Sequence, residues 1–150
     1  MLSFQRLDVY QRSIEFLSLV YEIVARLPRG NADRADQLTR SAESVVRNIA
    51  EGAGRWSPAD CANRYRIARG EAMECAASLD VLKLRKLLTD EDYCRGILLL
   101  EGVVAMLTRW FERIDDVHVA VAVKVHDSDD VDGYLVPNRR SPASPRPGTM

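Results

Sequence analysis

Apolar residues recur every three or four positions along four successive segments of this chain, and this spacing limits the folds open to it. In the fourth segment, seven apolar residues in a row keep the alternating spacing of four and three. Side chains spaced in this way lie on one face of a helix, and a repeat sustained over several turns is typical of helices packed along their length. The seven residues are Tyr93, Ile97, Leu100, Val104, Leu107, Phe111 and Ile114.

The three earlier segments have the same spacing and are bounded by residues that break helices. The predicted helices cover residues 8–27, 35–53, 58–88 and 90–114. In the first three of them the apolar stripes are Tyr10, Ile14, Leu17, Tyr21 and Val24, then Leu38, Ala42, Val45 and Ile49, then Cys61, Tyr65, Ala68, Ala72, Cys75, Leu79 and Leu82. Phe16, Val20 and Leu27 widen the first of these stripes.

Local signals agree with these boundaries. Ser57 supplies a hydroxyl that can cap a helix, and Pro58 suits the first helical position. Four helices with short connections predict an all-α, antiparallel up-down-up-down four-helix bundle over residues 1–116. The alternative is a longer two-helix hairpin that gains its core only by oligomerising, but the breaks at Pro28 and after Gly52 argue against it.

Residues 117–150 form a C-terminal extension in which the pattern changes. From Val117 to His126 valine alternates with other residues, a period of two that predicts a short strand or an extended segment; continuation of the helix is the alternative. Further on, Asp, Pro, Ser and Arg dominate, and this composition predicts disorder from Pro137 to Met150.

Composition and charge narrow the class of protein. The net charge is −1, and residues 1–114 carry 17 basic against 16 acidic residues, so the basic excess of a dedicated nucleic-acid binder is missing. We expect a cytoplasmic protein, because the chain has no long apolar run for a membrane and no signal-peptide layout. The cysteines, Cys61, Cys75 and Cys94, form no C-x-x-C pair, and we expect them to be reduced. Cys61 and Cys75 lie on the apolar stripe of the third helix, where we expect them to pack as small hydrophobic residues.

No arrangement of residues predicts catalysis, a cofactor or a metal site. The Glu-x-x-His pairs of di-metal bundles are missing, and both histidines, His118 and His126, follow the predicted bundle. Glu71 and Glu74 could share a metal on the third helix, but paired or solvated carboxylates are the simpler interpretation. We therefore predict that the protein is not an enzyme.

Features suited to binding are better represented. Trp56 follows Arg55 in a loop, where an indole can stack on a base or pack in an interface. Several arginines on the second and third helices could together contact phosphates, although for any single one an ion pair with a nearby glutamate is the favoured interpretation. The candidate residues for binding nucleic acid or a partner are Arg40, Arg47, Arg55, Trp56, Arg64 and Arg69.

The run from Arg40 to Arg55 resembles the core motif of a bacterial four-helix bundle family. Its members include proteins encoded by intervening sequences within 23S ribosomal RNA genes, and the accessory variability determinant of diversity-generating retroelements is a relative. The resemblance covers about residues 4–114. The residues assigned to the family motif are Asn48, Glu51, Gly52, Gly54, Asp60, Gly70 and Glu74.

The resemblance implies a homo-oligomer, a ring-like pentamer, which binds RNA, DNA or a protein partner. The function that we predict is an oligomeric scaffold or adaptor of the intervening-sequence type. The alternative is an accessory, nucleic-acid-binding subunit of a retroelement reverse transcriptase. Two departures weaken that alternative: the near-neutral charge, and Glu71 at a position where relatives commonly carry a small hydroxyl residue.

Overall fold

The computed structural model describes residues 1–129, most of which are helical. A 3-10 turn at Ser3–Arg6 precedes four α-helices: α1 (Asp8–Arg26), α2 (Ala32–Ala53), α3 (Pro58–Leu84) and α4 (Asp90–Asp129). The part of the chain that the structure describes contains no strand. These elements confirm the predicted all-α four-helix architecture.

Side-chain contacts between neighbouring helices establish their antiparallel order. Three of these contacts join helices that are consecutive in the chain, and the fourth joins α1 to α4. The bonds between neighbouring helices include Tyr21 Oη–Glu43 Oε1 at 3.1 Å, Ser41 Oγ–Glu74 Oε1 at 2.9 Å, Tyr93 Oη–Asp80 Oδ1 at 2.7 Å and Arg26 Nη2–Asp92 Oδ2 at 3.0 Å. Each helix therefore lies between two neighbours, α4 lying between α1 and α3.

The core confirms the predicted stripes of α2 and α3 but not that of α1. Leu38, Ala42, Val45 and Ile49 are buried, and so are the α3 stripe residues from Tyr65 to Leu82, with Cys61 only half-buried. In α1 the predicted Ile14 and Tyr21 are 41% and 49% exposed. The buried residues of α1 are Val9, Ser13, Phe16, Leu19, Val20 and Ile23, so Phe16 and Val20, which were expected to widen the stripe, lie in the core.

In α4 the buried face is likewise only partly the predicted one. Leu100 and Leu107 are buried as expected, whereas Val104 and Ile97 are half-buried. The remaining buried positions are Gly96, Leu99 and Val103, so the core contact lies to one side of the predicted stripe.

The end of α3 differs from the prediction by four residues. The helix ends at Leu84, and Lys86 follows with φ of 58°, in the left-handed region. The Leu87 N–H donates to the Leu82 carbonyl at 2.9 Å, and the Lys86 N–H donates to the Lys83 carbonyl, also at 2.9 Å. These two bonds form a Schellman motif, which satisfies the last carbonyls of the helix and reverses the chain.

The strand prediction for residues 117–126 is wrong. Helix α4 continues through this segment to Asp129. No glycine or proline lies between Gly102 and Gly133, and adding a residue to an existing helix costs far less than starting one. The disorder predicted from Pro137 concerns residues outside the described part of the chain.

The chain divides into two units, Met1–His118 and Val119–Met150. All the contacts discussed below lie in the first unit. Within the described residues, no helix combines the length and the apolar character that crossing a membrane requires.

Candidate interaction surface

The junction between α2 and α3 brings together most of the predicted motif residues. The Gly54 N–H donates to the Glu51 carbonyl at 3.1 Å and closes the last turn of α2. The Ser57 hydroxyl accepts the Asp60 N–H at 3.4 Å, so Ser57 is the predicted N-cap of α3, with Pro58 as its first residue. The backbone N–H groups of Gly54 and Asp60 thus stabilise the turn itself.

A polar network ties the two sides of this junction together. Asn48 is only 8% exposed, and its amide nitrogen donates to the Ser44 carbonyl at 2.9 Å while its oxygen accepts from Arg64 Nη1 at 3.3 Å. The carboxylate of Glu51 pairs with Arg64 Nε at 3.1 Å and with Arg55 Nη2 at 3.5 Å. In this chain the motif residues Asn48 and Glu51 hold the end of α2 against the start of α3.

Changing Asn48 to alanine should lower the free energy of unfolding by about 1–2 kcal/mol, because a largely buried amide loses its bonds to Ser44 and Arg64. The same change at Asn63, an exposed residue of α3, is the matched control and should have little effect. Urea denaturation of both variants measures the difference. Equal stabilities would mean that the Asn48 network contributes nothing to the fold.

Gly52 allows the close approach of α2 to α3. A Cβ atom at this position would lie 2.6 Å from Cε1 of Tyr65, far inside van der Waals contact. The Tyr65 ring is buried and packs edge-on against Trp110, with 5.3 Å between ring centroids. Gly70, by contrast, is exposed and has open space around its Cα. The structure thus explains Gly52 by packing and offers no packing reason for Gly70.

The predicted arginines do not form one positive surface. Arg47 pairs with Glu43 at 3.2 Å, and Arg55 and Arg64 both pair with Glu51. Arg69 turns to the other side of α3, where its Nε donates to Thr108 Oγ1 of α4 at 2.9 Å. Of the six candidates, Arg40 and Trp56 are the ones that project without a hydrogen bond or an ion pair among the described residues.

Trp56 is the most exposed large hydrophobic residue of the described part of the chain, with a relative exposure of 101%. It occupies the turn between α2 and α3, beside the ion pair of Arg55 and Glu51. An indole ring that the described residues leave fully exposed is well suited to an interface, where one face can pack and the N–H can find a partner.

A groove runs along the outside of α2 and α3, and sequence reasoning missed it. Two cavities of about 430 and 490 Å³ share Gln37 and Glu74 and together form what we call the α2–α3 groove. Glu74 accepts hydrogen bonds from Ser41 Oγ at 2.9 Å and from Gln37 Nε2 at 3.3 Å. The charged residues that line the groove are Asp33, Arg34, Arg40, Arg47, Glu71 and Glu74, and its apolar residues are Ala77, Val81 and Leu82.

Exposed apolar residues continue along the outside of α3. Ile67 is 38% exposed, Met73 51%, Val81 47% and Leu84 83%. The small residues Gly70 and Ala77 lie between them and are also exposed. We call these six residues the outer α3 surface.

The described residues offer no cluster of metal ligands, and the buried thiol of Cys75 is not activated. No group of three or more His, Cys, Asp or Glu side chains is placed to hold a metal ion within this part of the chain. Burial, aided by the negative charges of Glu71 and Glu74, raises the pKa of the Cys75 thiol to about 12, so it stays protonated at neutral pH. Cys75 packs in the core as predicted, whereas Cys94 is exposed.

Comparison with known proteins gives one family. The chain matches the family described as 23S rRNA-intervening sequence protein over residues 5–109. Among solved structures, it is similar to a crystal structure of a protein with unknown function from the S23 ribosomal protein family, from Bacteroides thetaiotaomicron. The two chains share 25% sequence identity with a TM-score of 0.64, over 69% of this chain and 95% of the other. No match was found among curated proteins.

Proposed function

Because this chain belongs to the family of 23S rRNA-intervening sequence proteins, we propose that it is a non-enzymatic scaffold that assembles with copies of itself and binds a macromolecular partner. The family assignment by itself supplies no activity. The proposal is argued from the surface of the bundle.

The outer α3 surface is the observation that carries the proposal. Helices at the surface of a lone bundle normally present polar side chains to solvent, and a line of apolar residues over several turns marks a contact site. Burying a half-exposed Val, Met or Leu side chain stabilises an assembly by about 1 kcal/mol. Val81 and Leu84 are the two residues whose burial we expect to matter most.

The chemistry of the described residues supports a scaffold rather than an enzyme. The carboxylates of the α2–α3 groove are satisfied by hydrogen bonds or face arginines, and no histidine lies among them. A general acid or base needs a pKa near the working pH. Within the described part of the chain, the groups whose pKa departs clearly from its ordinary value are three tyrosines and Cys75, and in each the pKa is raised, away from neutrality.

Light scattering of the purified full chain tests the proposal. We expect an oligomer for the natural sequence, a pentamer by the resemblance, and a smaller average mass when Val81 and Leu84 are both changed to lysine. Leu2, which is 65% exposed at the N-terminus, provides the matched control as Leu2→Lys. A natural chain that remains monomeric at every accessible concentration contradicts the proposal.

For the partner, the charge distribution favours protein over nucleic acid. Arg47, Arg55 and Arg64 are neutralised by glutamates, so fewer guanidinium groups are available to phosphates. Binding of structured ribosomal RNA that weakens steeply with salt, and that is lost when these three arginines are changed to alanine, would assign an RNA partner instead. The reverse-transcriptase alternative stays a prediction, and the genomic position of the gene decides it.

A further inference from the structure

The α2–α3 groove carries opposite charges on its two walls. The α2 wall presents Arg34, Arg40 and Arg47 with one carboxylate, Asp33, and the α3 wall presents Glu71 and Glu74. Arg47 is shared with Glu43 at 3.2 Å, so Arg34 and Arg40 are the arginines of this wall that have no acidic partner among the described residues. At one end the α3 wall becomes apolar, with Ala77 beside Val81. A segment that filled this groove would need an apolar centre, an acidic edge towards α2 and a basic edge towards α3.

The outer face of α4 has this pattern. Its centre contains Leu98, which is 65% exposed, and Ala105, which is also exposed. Glu101 and Glu112 are eleven residues apart, about three helical turns, and therefore lie along one edge. Neither carboxylate has a hydrogen bond or an ion pair with any described residue.

The other edge of this face is basic. Arg95 pairs with Glu15 of α1 at 3.8 Å, and Arg109 lines a cavity of about 450 Å³ with residues of α1, so this edge lies on the α1 side of the helix. Thr108, whose hydroxyl is bonded to Arg69 of α3, marks the opposite side, nearer to Glu101 and Glu112. Between Arg95 and Glu112 the outer face of α4 is thus divided lengthwise into an acidic and a basic edge; the exposed Glu91 precedes this stretch, on the line of Arg109.

These two surfaces cannot meet within one molecule. Helix α4 packs between α1 and α3, and its outer face points away from the α2–α3 groove. Two different patches that complement each other on separate parts of one subunit form a head-to-tail contact between copies. Such a contact leads to a closed ring or to a filament, according to the rotation between subunits.

We propose that the outer face of α4 of one copy docks in the α2–α3 groove of the next copy. This inference rests on the proposed function, because it identifies the surfaces by which the scaffold assembles. Leu98 of one copy and Val81 of the next become buried at the contact. The acidic edge of α4 faces the arginines of α2, and its basic edge faces the glutamates of α3. The charges select the orientation of the contact, and the apolar residues supply most of its affinity.

Charge reversal tests the docking directly. Arg40→Glu with Arg47→Glu makes both walls of the groove acidic, and Glu101→Arg with Glu112→Arg makes both edges of α4 basic. We expect either double variant to weaken self-association about 100-fold, as like-charge contacts do in protein interfaces. Combining all four substitutions in one chain restores opposite charges, and we expect its association to return to within about 10-fold of the natural chain.

An equimolar mixture of the two double variants provides a second measurement, should the fourfold variant fail to fold. In the mixture each reversed groove can accept a reversed α4, so larger species should reappear on light scattering. The control is Arg29→Glu with Arg85→Glu, two exposed residues in the loops at one end of the bundle, which should leave association unchanged. Circular dichroism confirms that each variant is folded.

The outcomes separate this inference from the proposed function. If the natural chain is an oligomer but neither the fourfold variant nor the mixture recovers association, the docking of α4 in the groove is overturned and the scaffold proposal is retained. Unchanged association in both double variants would overturn the docking equally. If the natural chain is monomeric, the scaffold proposal itself fails.

Discussion

Changing Ile23 to alanine should lower the free energy of unfolding by about 3 kcal/mol, whereas the same change at Ile14 should cost about 1 kcal/mol or less. Both isoleucines belong to α1, so helix propensity and the atoms removed are the same in the two variants. They differ in surroundings: Ile23 is 2% exposed in the core, and Ile14 is 41% exposed. The cost at Ile23 includes the cavity left between packed helices.

Urea denaturation at one fixed protein concentration measures both variants, because self-association adds to apparent stability. Equal losses at the two positions would show that α1 presents a different face to the core. A larger loss at Ile14 would instead support the stripe predicted from the sequence, in which Ile14 faces the core.

The error in α1 has a clear physical origin. Val9, Phe16 and Ile23 keep the same alternating spacing as Tyr10, Leu17 and Val24, one position away along the helix. Helix α1 therefore has two adjoining apolar faces, and spacing alone does not choose between them. In α2 the polar flanks leave one apolar face, and there the prediction was confirmed in full.

The polar contacts were beyond prediction for a different reason. Arg64 pairs with Glu51 only because the turn between α2 and α3 brings the two residues together. Ser41 bonds to Glu74 only because the two helices lie side by side along the groove. The sequence places arginines and glutamates on helix surfaces, but only the crossing of the helices decides which of them meet. The role of Asn48 could be suspected only from its place in the motif.

The tail shows how a local pattern can mislead. Alternation between Val117 and Val125 predicts a strand when the segment is taken alone. The segment has no partner strand in the described chain, and it directly follows a long helix without an intervening glycine or proline. An isolated strand leaves its backbone groups unpaired, whereas the helix satisfies them internally. Context outside the segment therefore decides its structure.

Changing Gly52 to valine is the second substitution for which we expect a large loss, about 3 kcal/mol of unfolding free energy. The new Cβ would meet the Tyr65 ring at 2.6 Å, and the two γ-methyl groups would add further overlap. Tyr65 is 4% exposed and is held against Trp110, so its ring cannot move aside without disturbing the packing of α3 on α4.

Gly70 to valine is the matched control, since Gly70 also lies within a helix but has open space around it. There the substitution should change stability by less than about 1 kcal/mol, because valine is slightly better than glycine in a helix and meets no neighbour. Thermal and urea unfolding of both variants give the comparison, at a protein concentration low enough for the chain to be monomeric, because Gly70 belongs to the outer α3 surface and association adds to apparent stability. If Gly52→Val were as stable as Gly70→Val, α2 and α3 would have to lie farther apart than in this structure. The shape of the α2–α3 groove depends on that spacing, so the groove described here would then be wrong.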